Sequence, residues 1–148
     1  MECIRYASGY AYQLRETYSC VISIHPPEPI RTEYIDLLPG GTLTIRRGYA
    51  WDGPSGPTID TDTFMRGSLV HDSIYQLLRE GHLPQSCRPE ADRILRDICR
   101  EDGMMGLRAW WVHLAVTYGG GPSADPALIE PDKCAPEGCE CTASSQRL

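Results

Sequence analysis

Between Gly9 and Arg46 the apolar residues recur at every second position. Tyr10, Tyr12 and Leu14 alternate with polar or small neighbours, Tyr18, Cys20, Ile22 and Ile24 repeat the pattern, and Leu43 and Ile45 sit among Thr42, Thr44 and Arg46. A period of two turns one face of each strand inward. The stretch therefore predicts a small antiparallel sheet. His25-Pro26-Pro27-Glu28-Pro29 breaks the second strand, since proline has no N–H for a ladder. Pro39-Gly40-Gly41 reverses the chain between a short strand at about Arg31 to Asp36 and another at Thr42 to Arg47.

After a stretch rich in glycine and proline the period lengthens to that of a helix. From Phe64 to Glu80, positions 64, 67, 68, 71, 74, 75 and 78 share one face, reading Phe, Gly, Ser, His, Ile, Tyr and Leu. Asp62 or Thr61 is placed to cap this helix and Gly81 to end it. A second helix starts near Pro89, with proline tolerated in the first turn. Its core stripe is Ala91, Ile94, Leu95 and Ile98; Asp92 lies at the edge of that stripe beside Leu95 and Cys99, while Asp97 and Glu101 face outward. Gly103 closes it. A third helix is expected from about Met104 to Tyr118, burying Leu107, Trp111, Leu114 and Tyr118, with Gly119-Gly120-Gly121 as its stop. The class is α+β: a small N-terminal antiparallel sheet followed by three helices, the first two an antiparallel pair. One domain spans 1–121, with the sheet in 1–48, a Gly/Pro loop in 49–62 and the helices in 63–121. The Pro, Ala, Ser and charged residues of 122–148 predict a disordered tail.

Length and charge narrow the function. A chain of 148 residues holds one core. A net charge of −6 without a Lys/Arg cluster argues against nucleic acid as a partner. The N-terminus lacks the layout of a signal peptide and no apolar run is long enough to span a bilayer, so a soluble product of the cytosol is expected. The seven cysteines are scattered and odd in number, which favours reduced thiols over a disulfide framework. Cys99 reads as a small core hydrophobe. Cys134, Cys139 and Cys141 form a weak metal signal, with no obvious fourth ligand.

The chemistry gathers on the first two helices. An antiparallel pair with a short connection brings His71 opposite Asp92, a histidine-carboxylate dyad, with Asp72 one step round the helix and directed toward the loop. Taken alone, the pair reads as a core histidine at His71 satisfied by a carbonyl and a solvated helix charge at Asp72. The loop Trp51-Asp52-Gly53-Pro54-Ser55-Gly56-Pro57 exposes backbone groups that neither helix nor ladder consumes. It is either a plain connector or a cage for a hard cation or an anion.

That loop, followed by His71-Asp72-x-x-Tyr75 and then by Ala91-Asp92-x-x-Leu95, resembles the phospholipase A2 superfamily over roughly Trp51 to Cys99. It looks most like the short domains of parvovirus capsids. The whole chain also resembles a family of uncharacterised small proteins carried by tailed phages and prophages. The first resemblance implies Ca²⁺-dependent hydrolysis of a phospholipid ester: His71 as the base acting on water, Asp92 holding the other ring nitrogen, and Tyr75 donating to Asp92. Asp72 would bind Ca²⁺ together with carbonyls from the loop, Trp51, Gly53 and Gly56 among them, while Asp52 is an extra carboxylate outside that pattern, either a further ligand to the ion or the cap of a turn. It implies a phospholipid or membrane surface as partner, and the host cytoplasm or a virion as location. The alternative is a non-catalytic phage structural or host-interaction protein that keeps the same fold, with a phage virion or host protein as its partner.

Overall fold

The computed structural model describes residues 4–6, 12–52, 62–128 and 133–135; the loop glycines Gly53 and Gly56 lie outside them. The alternation of the N-terminal half yields short strands. β1 (Ile4–Tyr6) precedes β2 (Tyr12–Gln13), β3 (Tyr18–Val21), β4 (Ile30–Arg31), β5 (Ile35–Leu37), β6 (Thr42–Ile45) and β7 (Ala50–Trp51). Four of them form an antiparallel sheet in the order β3-β6-β5-β4, in the register Cys20↔Leu43, Leu37↔Leu43 and Ile30↔Leu37. β2 pairs with β7, Tyr12 opposite Trp51. The strand expected from Arg31 to Asp36 is instead a tight hairpin. The Thr32 hydroxyl accepts from Ile35 N–H at 3.0 Å and turns the chain between β4 and β5, a local bond that competes with extension.

The inward row of Ile35, Leu37, Leu43 and Ile45 is fully buried. It shares one core with Leu69, Val70, Ile74, Leu77 and Leu78 of α1 (Asp62–Arg79). The predicted stripe of α1 is buried, but so are Leu69, Val70, Ser73 and Leu77. A single amphipathic face undercounts the burial because α1 has the sheet on one side and α2 (Arg88–Glu101) on the other. α1 ends at Gly81, whose φ of 78° lets its N–H reach Leu78 O while His82 N–H reaches Leu77 O. Pro89 sits in the first turn of α2, as its sequence predicts. Its stripe of Ala91, Ile94, Leu95 and Ile98 is buried together with Asp92 and Cys99. Burial pushes the Cys99 thiol up to about 11, so it behaves as an inert core side chain.

The third helix runs over α3 (Gly106–Gly119), and its packing face differs from the expected one. Ala109 and Val112 are buried against Phe64, Leu95, Cys99 and Met104, while Tyr118 is 85% exposed. The side chains of Leu107, Trp111 and Leu114 lie outside the described residues. α3 is apolar on every side, so its periodicity selects no face. The small side chains pack inward because they let the helices approach.

The tail also departs from expectation. α4 (Gly121–Ala124) has Ala124 fully buried, its carbonyl taking a hydrogen bond from Gln85 at 2.8 Å, and Pro126–Leu128 forms a further turn. β8 (Lys133–Ala135), which carries Cys134, pairs antiparallel with β1. Composition counts side chains, whereas these segments are held through the backbone. Cys139 and Cys141 lie outside the described residues. No helix among the described residues is long and apolar enough to cross a membrane.

Candidate active site

α1 and α2 meet in the falling register of an antiparallel pair: Gly67 against Cys99, His71 against Asp92, Tyr75 against Arg88. Gly67 sets the separation, since a Cβ there would lie 2.8 Å from Cys99 Sγ and 2.9 Å from Leu95 Cδ1. One turn further on, the approach lets the sequence-predicted dyad close. His71 Nε2 donates to Asp92 Oδ1 at 2.9 Å, and the Tyr75 hydroxyl donates to the same oxygen at 2.6 Å. Asp92 is 1% exposed and His71 6%. The rings of His71 and Tyr75 lie 4.0 Å apart between centroids.

Two residues not foreseen from the sequence complete the network. Arg88 Nε donates to the Tyr75 oxygen at 3.3 Å, and its Nη2 donates to the Thr117 carbonyl at 2.6 Å. His113 Nδ1 donates to the Asp92 backbone carbonyl at 3.2 Å. The guanidinium of Arg88 has no acceptor and can only donate. The phenol must therefore accept from it and spend its own single proton on Asp92. The signal for Arg88 was present in the sequence: it stands four residues before Asp92 and so on the same face of α2.

With Asp92 Oδ1 as acceptor, a neutral His71 carries its proton on Nε2, leaving the Nδ1 lone pair free of the network. Nδ1 stands 3.6 Å from Asp72 Oδ1, beyond normal hydrogen-bond length. Burial, the largest single influence, disfavours the charged ring. The nearby carboxylate of Asp72 and the hydrogen bond and charge of Asp92 together outweigh it and raise His71 above its ordinary value. Burial, then the bond to Asp92, raises the Tyr75 phenol, with Arg88 opposing. Tyr75 thus stays protonated throughout the range in which His71 titrates.

These groups border an open cavity of about 370 Å³. Asp52, Asp72 and Arg79 line it, and Val116, Gly119 and Gly120 from the end of α3 form part of its wall. Burial and the negative charge of Asp72 raise Asp52, while Arg79 opposes the rise. Two of the expected cation ligands, Asp52 and Asp72, therefore share one cavity. Trp51 also borders it, and its side chain is buried, with Nε1 donating to Ser68 Oγ at 3.2 Å and its ring stacked on Tyr49. Among the described residues no group of three or more His, Cys, Asp or Glu side chains gathers round a metal position. A hard cation held by Asp52 and Asp72 would draw its other ligands from backbone carbonyls and water.

The wall is fitted closely to the dyad. A Cβ on Gly120 would fall 2.7 Å from the Tyr75 hydroxyl, whereas one on Gly119 would meet nothing within 4 Å. Gly120→Ala should cost about 1–3 kcal/mol, as overpacking does, and Gly119→Ala should stay within about 0.5 kcal/mol of wild type. Urea denaturation of the two variants tests this; equal stabilities would contradict the fit.

The fold and the site together define an α+β protein with a buried histidine-carboxylate pair opening onto a surface cavity. The chain belongs to the family described as "Protein of unknown function (DUF1353)", matched over residues 32–116, more than half its length. Every member of the network from Trp51 to His113 falls in that span. No curated protein and no solved structure matches the chain. The resemblance to the phospholipase A2 superfamily, parvovirus type included, and the placement among phage and prophage proteins give way to this assignment. The physical reason is the brevity of the motif: any antiparallel helix pair that buries a His on an Asp with a Tyr one turn on presents the same few letters.

Proposed function

We propose that the protein is a hydrolase in which His71 activates water against an ester, a phospholipid ester being the first candidate substrate. The observation that carries this reading is the double donation to Asp92 Oδ1, which leaves Nδ1 as the one ring nitrogen available to the cavity. Nδ1 takes a proton from water as its oxygen adds to the ester carbonyl, and Asp92 steadies the imidazolium. The tetrahedral intermediate then expels the alkoxide, which takes the proton from Nδ1 and leaves as the alcohol. No covalent enzyme intermediate forms. Ca²⁺, held through Asp72 with Asp52 beside it, would supply Lewis-acid polarisation of the carbonyl. The cavity suits an amphipathic substrate, since its lining combines carboxylates and Arg79 with Tyr49, Trp51 and Val116.

A fluorogenic phospholipid tests the reading, assayed in millimolar Ca²⁺ and again in EGTA. Release in Ca²⁺ that disappears in EGTA and in Asp72→Asn is the expected result; no release in either medium overturns it. A second reading has its own observation. His71, Tyr75 and Asp92 are all more than nine-tenths buried, as suits a polar staple in a non-catalytic structural or interaction protein. In that case His71→Gln alters stability alone.

A further inference from the structure

Arg88 opens α2, yet its side chain serves the other two helices. Nε donates to the Tyr75 oxygen of α1 at 3.3 Å, and Nη2 donates to the Thr117 carbonyl of α3 at 2.6 Å, with the Val116 carbonyl 3.5 Å from the same nitrogen. Thr117 lies in the last turn of α3, at the negative end of that helix dipole, where a guanidinium is favoured. The first turn of α2 is a positive end, where a cation is disfavoured. Local helix preference therefore does not account for an arginine at this position; the two bonds do. Two glycines make room for them. A Cβ on Gly120 would lie 2.7 Å from the Tyr75 hydroxyl, and one on Gly121 would lie 3.3 Å from Arg88 Nη1.

Tyr75 passes this placement on to the dyad in two ways. Its proton goes to Asp92 Oδ1 at 2.6 Å, the oxygen that also takes the His71 Nε2 proton. Its ring lies 4.0 Å from the imidazole between centroids. A hydroxyl rotates to suit its surroundings unless a donor fills one of its lone pairs. Arg88 fills one, so the phenol proton points away from the guanidinium and onto the carboxylate.

We infer that Arg88 is a positioning residue for the dyad: anchored on the end of α3, it holds the Tyr75 hydroxyl on Asp92 and so fixes the carboxylate against which His71 is set. Arg88 does not line the cavity, and it acts through Tyr75. The inference rests on the hydrolase reading only for its effect on turnover, since the hydrogen bonds can be followed without any substrate.

Proton NMR of the full chain with nitrogen-labelled histidine tests it. The wild type should show two protected downfield protons, His71 Nε2–H and a Tyr75 hydroxyl assigned by its loss in Tyr75→Phe. Arg88→Met should lose the hydroxyl signal and exchange its Nε2 proton with water about tenfold faster or more. Gln85→Ala frees the Ala124 carbonyl from its 2.8 Å bond without touching the phenol, and it should keep both signals. A hydroxyl proton that is unprotected in the wild type, retained in Arg88→Met, or lost equally in Gln85→Ala overturns the inference. If Arg88→Met does not fold, Arg88→Lys decides. A lysine lacks the fork that spans phenol and carbonyl, so the hydroxyl signal should weaken, and an unchanged signal overturns the inference. Turnover reads the residue separately: on an ester that the wild type cleaves, Arg88→Met should lower kcat by about 10- to 100-fold with KM little changed. Cleavage with kcat unchanged in Arg88→Met removes the positioning role and leaves the hydrolase. A hydroxyl signal lost in Arg88→Met, with no ester cleaved by the wild type, supports the hold of Arg88 on the dyad and counts against the hydrolase.

Discussion

Asp92→Ala will lower the stability of the chain by about 3–5 kcal/mol, the usual cost of breaking a buried charged pair on one side. Asp92 is 1% exposed, and its Oδ1 takes both the His71 and the Tyr75 protons. Truncation leaves an imidazole and a phenol without their acceptor in a closed interior, each worth about 1–3 kcal/mol when unsatisfied. It also opens a cavity between α1 and α2. Asp92→Asn keeps the shape and one acceptor oxygen, so it should lose less, about 1–3 kcal/mol. Asp97→Ala is the control on the same helix: its carboxylate is 57% exposed and pairs with Arg96, so a change within about 0.5 kcal/mol is expected. A domain of this size holds about 5–15 kcal/mol in total. Asp92→Ala should consequently shift the urea midpoint further than the other two. A midpoint unmoved from wild type would mean that the bonds at Oδ1 do not hold the helices together.

The dyad was legible in the sequence because it depends on two helical periods and one short connection. Once 64–80 and 89–103 are helices joined by a few residues, His71 and Asp92 have little choice but to meet. Tyr75 followed from the same spacing. Arg88 and His113 did not, since the first bonds to α1 and to the end of α3 at once, and the second depends on where α3 crosses α2. That crossing is what the sequence of α3 withholds. With apolar residues at every angle, the choice of face falls to the fit of Ala109 and Val112 against Cys99 and Leu95. The sheet was foreseen in kind and misjudged in detail, because one threonine hydroxyl turns a strand into a hairpin. The sequence motif read alone also suggested a kinship that the family assignment does not support. A few letters at helical spacing report a geometry, and unrelated chains reach that geometry independently.

Under the proposed hydrolase mechanism, His71→Gln should reduce ester hydrolysis by about 10²- to 10⁴-fold, the range for removal of a general base. Its amide can still donate to Asp92 Oδ1, so the fold should lose only about 1–3 kcal/mol. Activity and stability thus separate in this variant, and pH separates them again in the wild type. His71 is raised above its ordinary value of about 6.5, so the folded protein favours the charged ring. Its contribution to stability is then fully present below about 6.5 and is lost as pH rises through the folded pKa. The proposed catalysis would follow the opposite course, because only the neutral ring has an Nδ1 lone pair to accept a proton. In EGTA, where no cation competes with the imidazolium for Asp72, the Tm difference between wild type and His71→Gln should shrink as pH increases. Measured with Ca²⁺ present, kcat/KM should rise along an acid limb and be absent from His71→Gln at every pH. A Tm difference that grows with pH would show that the cavity holds a neutral imidazole from the start, with Asp72 too distant to matter. An activity that survives in His71→Gln would place the base elsewhere in the cavity.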